Sequence, residues 1–150
     1  GSVAITARSR VVLAGSGPKR RVDIAVPAES RVRGAVLSVD GQSVYAIVDD
    51  AQGSEVWRFP ADGSSGGQAL TEGGDAHRWR LYPSPDGRFL AHDDKQGRLW
   101  LTELKSGRTR MVDEAALERD DAYQRVSWSA DGRLLAVSRP DTARLLNQII

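Results

Sequence analysis

The sequence contains no cysteine, which excludes disulfide bridges, a thiol nucleophile and zinc or iron–sulfur sites built on cysteine. It has no apolar run near the roughly 18 residues that a membrane-spanning helix needs. It also has little net charge, +1 from 21 basic and 20 acidic residues, whereas nucleic-acid-binding proteins usually carry a strong basic excess. We therefore expect no cofactor, no membrane partner and no nucleic-acid partner.

The residues that are present suit a folded chain. Of the 150 residues, 40% are hydrophobic and 27% are charged, a balance typical of globular domains. Eighteen of the 21 basic residues are arginine, spread from Arg8 to Arg144 without long blocks. This spread favours codon usage in a GC-rich genome over an arginine-selected anion-binding surface, which arginine chemistry would suit. The first two residues, Gly1-Ser2, resemble the remnant of a cleaved expression tag.

An internal repeat organises the chain. The tetrapeptide Ser-x-Asp-Gly occurs three times, 46 and then 45 residues apart, and a polar residue and an apolar run follow each copy. The Gly supplies the positive φ that a tight hairpin needs, and Ser and Asp can hydrogen-bond the backbone of their own turn. Two tryptophans recur 43 residues apart. The predicted structural repeat positions are Ser38, Asp40, Gly41, Ser84, Asp86, Gly87, Ser129, Asp131, Gly132, Trp57 and Trp100.

The segments between the turns are short and rich in β-branched and aromatic residues, which favours β-strands. About four strands fill one repeat of about 45 residues, and this combination is typical of a β-propeller blade. We predict an all-β fold, a β-propeller segment of four-stranded antiparallel blades. The predicted boundaries are a partial blade at 3–27, whole blades at 32–72 and 78–113, and a partial blade at 124–150.

These blades hold 14 predicted strands, fewer than a closed propeller usually has, so we expect a piece cut from a larger propeller. The stretch from Asp113 to Asp121 is predicted as a loop with at most one turn of helix. Edge strands that lack charges pair readily with other chains. The apolar segments Val3-Ala4-Ile5 and Leu145 to Ile150 contain no charged residue, and the one charge beside them is Arg144, which directly precedes the second segment. We therefore expect a homo-oligomer, and a two-fold dimer in particular.

Two histidines are candidate catalytic residues. His92 precedes two aspartates and lies near Ser84 in sequence, so the residue types of a serine triad are present. We nevertheless interpret His92 as a partly exposed strand residue. His77 is interpreted as a solvent-facing loop residue, with contact to a peptide at a channel mouth as the alternative. No catalytic residue is predicted.

Paired aspartates could contribute to calcium sites, but no alternating calcium-binding loop is present. Because Asp is favoured in turns, we assign the pairs to turn formation. They are Asp49-Asp50, Asp93-Asp94 and Asp120-Asp121. No metal site is predicted, and the Gly/Ser loops at 15–19 and 63–67 do not match a phosphate-binding loop.

The tryptophans receive different interpretations. Trp57 and Trp100 occupy equivalent repeat positions, which predicts packing between blades. Trp79 lies between Arg78 and Arg80. An alternating strand would turn the tryptophan inward and both arginines outward, while a stacking or cation–π surface is the alternative.

Several tracts resemble the repeat of TolB-like and tricorn-type propellers. They are WRLYPSPDGRFLA at 79–91, DKQGRLW at 94–100 and VSWSADGRLLAVSRP at 126–140. The tract EVWRFPADG at 55–63, followed by LTEGGD at 70–75, is most similar to bacterial tricorn proteases. The resemblance covers residues 3 to 150 and points to the N-terminal six-bladed propeller of that family.

The resemblance implies a function. Tricorn-type enzymes are large serine peptidases that cleave oligopeptides, and their catalytic Ser and His lie in C-terminal domains beyond two propellers. None of that catalytic region matches this chain. The resemblance therefore implies a non-catalytic scaffold and substrate-access filter, whose partners are the rest of the parent peptidase and peptides in transit.

Other interpretations stay open at this point. The chain could be a segment of a TolB-like interaction propeller with no peptidase domain, and the sequence that follows Ile150 would discriminate the two. It could also be a piece made to study how partial propellers assemble. We expect a cytoplasmic location, with the periplasm as the alternative.

Overall fold

The computed structural model describes residues 2–7, 10–15, 21–73, 77–115, 125–141 and 146–149. Side chains are described at 11–15, 21–73, 77–115 and 125–138. All regular structure in these ranges is β-strand, which confirms the predicted all-β fold class. None of the described residues forms a helix long and apolar enough to cross a membrane. The chain divides into two compact units, Gly1–Asp75 and Ala76–Ile150.

The first unit contains two antiparallel sheets in which each strand pairs with its sequence neighbours. Sheet 1 consists of β1 (Ser2–Ala7), β2 (Arg10–Gly15) and β3 (Arg21–Ile24). Sheet 2 consists of β4 (Arg31–Leu37), β5 (Ser43–Asp50), β6 (Gly53–Pro60) and β7 (Gln68–Ala69).

The second unit also contains two antiparallel sheets. Here the four-stranded sheet comes first along the chain and the three-stranded sheet second, the reverse of the first unit. Sheet 3 consists of β8 (Arg78–Pro83), β9 (Phe89–Asp94), β10 (Arg98–Glu103) and β11 (Thr109–Glu114). Sheet 4 consists of β12 (Arg125–Trp128), β13 (Leu135–Asp141) and β14 (Leu146–Ile149). Of the predicted loop at 113–121, the first two residues belong to β11, and 116–121 lie outside the described residues.

The three Ser-x-Asp-Gly turns have the same hydrogen bonds. In each, the Ser hydroxyl donates to the Asp carboxylate at 2.5–2.6 Å, and the Gly N–H donates to the Ser carbonyl at 2.9–3.0 Å. Each carboxylate also accepts the N–H two residues further on at 3.0 Å. The three glycines have φ of 68–70°, where a side chain would be strained.

These hydrogen bonds stabilise the ionised carboxylates. Donation by the Ser hydroxyl is the largest cause that lowers the pKa of Asp40, Asp86 and Asp131. The pKa of Asp86 falls to about 2. The turns therefore keep their charge-assisted hydrogen bonds well into the acidic range.

The core of the first unit lies between sheets 1 and 2. Sheet 1 contributes the buried Val11, Leu13 and Ile24, and sheet 2 contributes five buried residues. Those five are Val32, Val44, Ala46, Val48 and Phe59. The Trp57 ring packs against this cluster and stacks on Phe59, with ring centroids 5.9 Å apart. Trp57 therefore contributes to the apolar packing between the two sheets of this unit.

A smaller core lies between sheets 3 and 4. It consists of Leu99 and Ala115 from the side of sheet 3 and Val137 from sheet 4, with partly buried neighbours around them. The indole N–H of Trp128, at the end of β12, donates to the Tyr82 carbonyl on β8 at 2.9 Å. The two sheets of this unit are thus joined by apolar packing and by a direct hydrogen bond.

Candidate functional site

The two central hairpins can be aligned pair by pair from their turns. Counting from the pairs Ser43–Pro60 and Phe89–Glu103, the fourth pair contains Trp57 in sheet 2 and Trp100 in sheet 3. The two tryptophans therefore lie at the same position of their hairpins. Their surroundings differ, because sheet 3 has polar residues where sheet 2 has apolar core residues. In the ladder, His92 replaces Ala46, Thr102 replaces Phe59 and Asp94 replaces Val48.

His92 is the centre of this polar face. Its side chain is fully buried, and its Nε2 lies 3.0 Å from the Thr102 hydroxyl, which lies 2.8 Å from the Thr109 hydroxyl. The expectation of a partly exposed histidine is wrong, because β9 is buried on both faces from Leu90 to Asp94. Burial, aided by the charge of Arg78, lowers the pKa of His92 to about 3 and keeps the ring neutral.

The surroundings of His92 do not assemble a serine triad. The Ser84 hydroxyl donates to Asp86 and accepts the Phe89 N–H, so it belongs to its own turn. Within the described side chains, Nδ1 of His92 has no hydrogen-bond partner, so no carboxylate orients the ring. A triad needs that carboxylate and a nucleophile that substrate can reach.

Asp94 organises the turn after β9. Its carboxylate is fully buried and accepts the backbone N–H groups of Gln96 and Arg98, each at 3.0 Å. The other oxygen accepts the Arg98 Nε and the indole N–H of Trp100, each at 2.8 Å. The Trp100 ring also faces the guanidinium groups of Arg98, at 5.3 Å, and of Arg78, at 5.1 Å. Trp100 is therefore held by polar contacts rather than by an apolar cluster like that around Trp57.

The other described aspartates of the paired motifs also have local partners. Asp50 accepts the Gln52 and Gly53 N–H groups, and Asp49 pairs with Arg33. Asp120-Asp121 lies outside the described residues. In the described part of the chain, no three His, Cys, Asp or Glu side chains lie close enough together to hold a metal ion.

Asp93 lies on the opposite face of β9 from Asp94. It accepts the Arg80 N–H at 2.8 Å and the Tyr82 hydroxyl at 3.2 Å, and the Arg80 guanidinium is 4.0 Å away. Burial outweighs these contacts and raises the pKa of Asp93 to about 6. Burial, together with the charge of Asp93, also raises the pKa of Tyr82.

Trp79 does not follow the predicted alternation. The pairing of β8 with β9 shifts between Arg78 and Arg80, so Trp79 is the extra residue of a β-bulge. As a result Arg78 is buried, at 4% exposure, instead of facing outward. The Lys95 ammonium lies over the Trp79 ring, 4.9 Å from its centre. The Lys95 N–H also donates to the carbonyl of His77, whose side chain is exposed as expected for a loop.

A groove of about 430 Å³ lies between sheets 3 and 4, within the size range of ligand pockets. Its floor is apolar and includes Leu101 and Leu135 as well as the rings of Phe89 and Trp128, which stack with centroids 6.4 Å apart. The basic residues that line it are Arg88, Arg110 and Arg133, and one carboxylate, Asp113, also lines it.

Sequence reasoning missed this groove because it attributed the arginines to codon usage. A signal was present in the repeat. Arg88 and Arg133 directly follow the Gly of the repeated turn, where sheet 2 has Gln42. Arg110, on β11, has no such marker, because its approach to sheet 4 depends on how the two sheets pack.

The first unit has a groove of about 450 Å³ at the corresponding position between sheets 1 and 2. The repeated turn again lines it, through Gly41 and Gln42. Its charged lining residues are Asp40 and Asp62, and no described arginine lines it. The basic character of the groove in the second unit is therefore a property of its own side chains and not of the repeat.

Comparisons with known proteins point to one family. No family model matches the chain. Tricorn protease homolog 1 of Streptomyces coelicolor is 34% identical over 129 residues, which cover 83% of this chain and 12% of that protein. The chain thus spans about an eighth of the curated relative that it matches.

Solved structures show the same fold at low sequence identity. A crystal structure of the tricorn protease matches 99% of this chain and 14% of its own chain, with a TM-score of 0.79 and 12% identity. A chain in a crystal structure of the mitotic checkpoint complex matches with a TM-score of 0.73 and 15% identity, over 99% of this chain and 44% of that chain. Taken with the curated relative, the strand order and the repeated turns, these matches identify the chain as a β-propeller segment of the tricorn type.

Proposed function

We propose that the chain is a non-catalytic segment of a tricorn-like, oligopeptide-degrading serine peptidase, and that it acts as a scaffold and substrate-access filter. Its partners would be the rest of the parent peptidase and peptides in transit, in the cytoplasm. The similarity to a tricorn protease homologue supports the type of parent protein. The burial of His92 supports the non-catalytic role, because a base that solvent does not reach cannot meet a peptide substrate.

A scaffold role agrees with the way the turns between the strands are stabilised. Each Ser-x-Asp-Gly turn satisfies its polar groups internally, and Asp94 does the same for the turn after β9. Turns that need no outside partner leave the side chains of neighbouring strands free to contact other molecules. Such a framework holds its loops in place while their sequences vary.

We expect the purified chain to cleave no oligopeptide. Incubation with a panel of fluorogenic oligopeptides should give no signal above a buffer blank, because His92 is buried and the Ser84 hydroxyl is held in its own turn. A fluorophosphonate probe, which labels activated serines, should leave the mass of the chain unchanged.

The informative control is Thr102→Val, which keeps the shape of the side chain and removes the hydroxyl beside His92. Cleavage by the chain that disappears in Thr102→Val, while circular dichroism shows both proteins folded, would contradict the non-catalytic role. The coding sequence after Ile150 tests the parent protein separately. A peptidase domain there supports the proposal, and a chain that stops after the propeller supports the TolB-like alternative.

We also propose that copies of the chain associate through β1 and β14. Within the described residues, each of these strands pairs with a neighbour on one side only. Their sequences, SVAITA and LNQI, carry no charge, whereas the edge strands β3 and β11 carry charges of both signs. Uncharged edges pair most readily with another strand.

Light scattering coupled to size exclusion should therefore give a mass near twice 16.3 kDa at high micromolar concentration. Ile5→Lys places a charge on β1 and should shift the peak toward the monomer. Val39→Lys changes a residue that is already 60% exposed in a turn and should not shift it. A monodisperse wild-type peak at the monomer mass would show that these edges do not pair.

A further inference from the structure

We propose that the groove between sheets 3 and 4 binds acidic oligopeptides, with carboxylates on Arg110 and Arg133 and apolar side chains on the floor. The choice of a peptide as ligand rests on the proposed filter function. The choice of negative charge rests on the groove itself, where three arginines face one carboxylate, Asp113.

The three arginines are not equally available. The Nε of Arg88 donates to Asp86 at 2.5 Å, and its guanidinium lies 5.4 Å from the centre of the Phe89 ring. Arg110 and Arg133 are exposed, and neither forms an ion pair among the described residues. Arginine presents a planar fork of donors that matches a carboxylate, so these two guanidinium groups are the expected anchors.

The groove continues along sheet 3 beyond its main volume. A neighbouring concavity of about 240 Å³ shares Phe89, Leu101 and Arg110 and adds Arg108 and Glu103. The combined surface has apolar side chains along its floor, and its charged lining residues are four arginines and two carboxylates, Asp113 and Glu103. This form suits an extended chain in which apolar and acidic side chains alternate, because alternate residues of such a chain point to opposite sides.

The floor also argues against a nucleic acid as the ligand. Base recognition by single-strand binders uses aromatic rings on which bases stack. Here the rings of Phe89 and Trp128 stack on each other, and much of the remaining floor is aliphatic. The corresponding groove of the first unit, lined by Asp40 and Asp62, should repel the same acidic peptide.

Fluorescence anisotropy can test this with two labelled hexapeptides, one of alternating glutamate and leucine and one of alternating lysine and leucine. We expect only the glutamate peptide to bind, and salt to weaken its binding. The double variant Arg110→Gln/Arg133→Gln should bind it at least about tenfold more weakly, because it loses two charge-assisted contacts. Arg31→Gln, which changes an exposed arginine in the first unit, is the matched control.

A charge swap makes the test independent of folding losses. Arg110→Glu/Arg133→Glu should lose the glutamate peptide and gain the lysine peptide. Equal binding of both peptides, no binding of either, or unchanged binding in the double variants would overturn the proposal. So would displacement of the bound peptide by a single-stranded oligonucleotide, or self-association of the chain that the double variants abolish. None of these outcomes bears on peptide cleavage, so the non-catalytic role stands or fails separately.

Discussion

Gly67→Ala should destabilise the first unit by about 3 kcal/mol, near the upper end of the usual range for overpacking a core. A Cβ at this position would lie 2.2 Å from Cε1 of Phe59, far inside van der Waals contact. The Phe59 ring is fully buried and belongs to the cluster between sheets 1 and 2. It can therefore move only by disturbing its neighbours, including Trp57, which stacks on it.

Gly66→Ala is the control for this prediction. A Cβ at Gly66 would meet nothing within 4 Å, and neither glycine has a positive φ. Both substitutions reduce the freedom of the unfolded chain in the same way, so the difference between them isolates the clash. Urea unfolding should show a large loss of midpoint for Gly67→Ala and a change within about 0.5 kcal/mol for Gly66→Ala. Equal midpoints would show that Phe59 is not held where we describe it.

Asp94→Asn should cost about 3 kcal/mol, at the lower end of the range for breaking a buried charge pair. Asn can replace the oxygen that accepts the Gln96 and Arg98 N–H groups. Its amide nitrogen would then face the Arg98 Nε and the Trp100 indole N–H, which are both donors. Three donor groups would meet with no acceptor, and the Arg98 charge would lose its partner.

Asp50→Asn makes the same chemical change in the equivalent turn of sheet 2. Asp50 is exposed and accepts two backbone N–H groups, which Asn can also satisfy with its carbonyl oxygen. We expect a change within about 0.5 kcal/mol, the usual range for a surface site. Denaturant melts that show the same loss for both variants would mean that Asp94 acts only as a turn residue.

The strands and turns could be predicted from the sequence because their causes are local. In the turn at Ser84, the hydroxyl, the carboxylate and the glycine that shape it lie within four consecutive residues. The same four-residue pattern at each repeat therefore predicts the same hairpin, and the apolar runs between hairpins predict the strands. The equivalence of Trp57 and Trp100 follows from the same spacing.

The burial of individual polar residues could not be predicted in this way. His92 looks like an exposed histidine beside a turn, because the sequence does not show that β9 is covered on both faces. The bulge at Trp79 turns Arg78 inward, and such a bulge depends on the pairing of β8 with β9. The basic groove depends on the packing of one sheet against the next, which places Arg110, on β11, and Arg133, in the turn between β12 and β13, along the same groove.

The meander order of the sheets has a consequence for how the chain folds and how its gene can change. Every described strand pairs only with the strand before or after it, so each loop that must close to form a pair is short. Closure entropy grows with loop length, and short loops allow each sheet to form from its own stretch of chain. A duplication or deletion of one 45-residue period would therefore add or remove a complete sheet and leave the strand pairs of the other sheets intact.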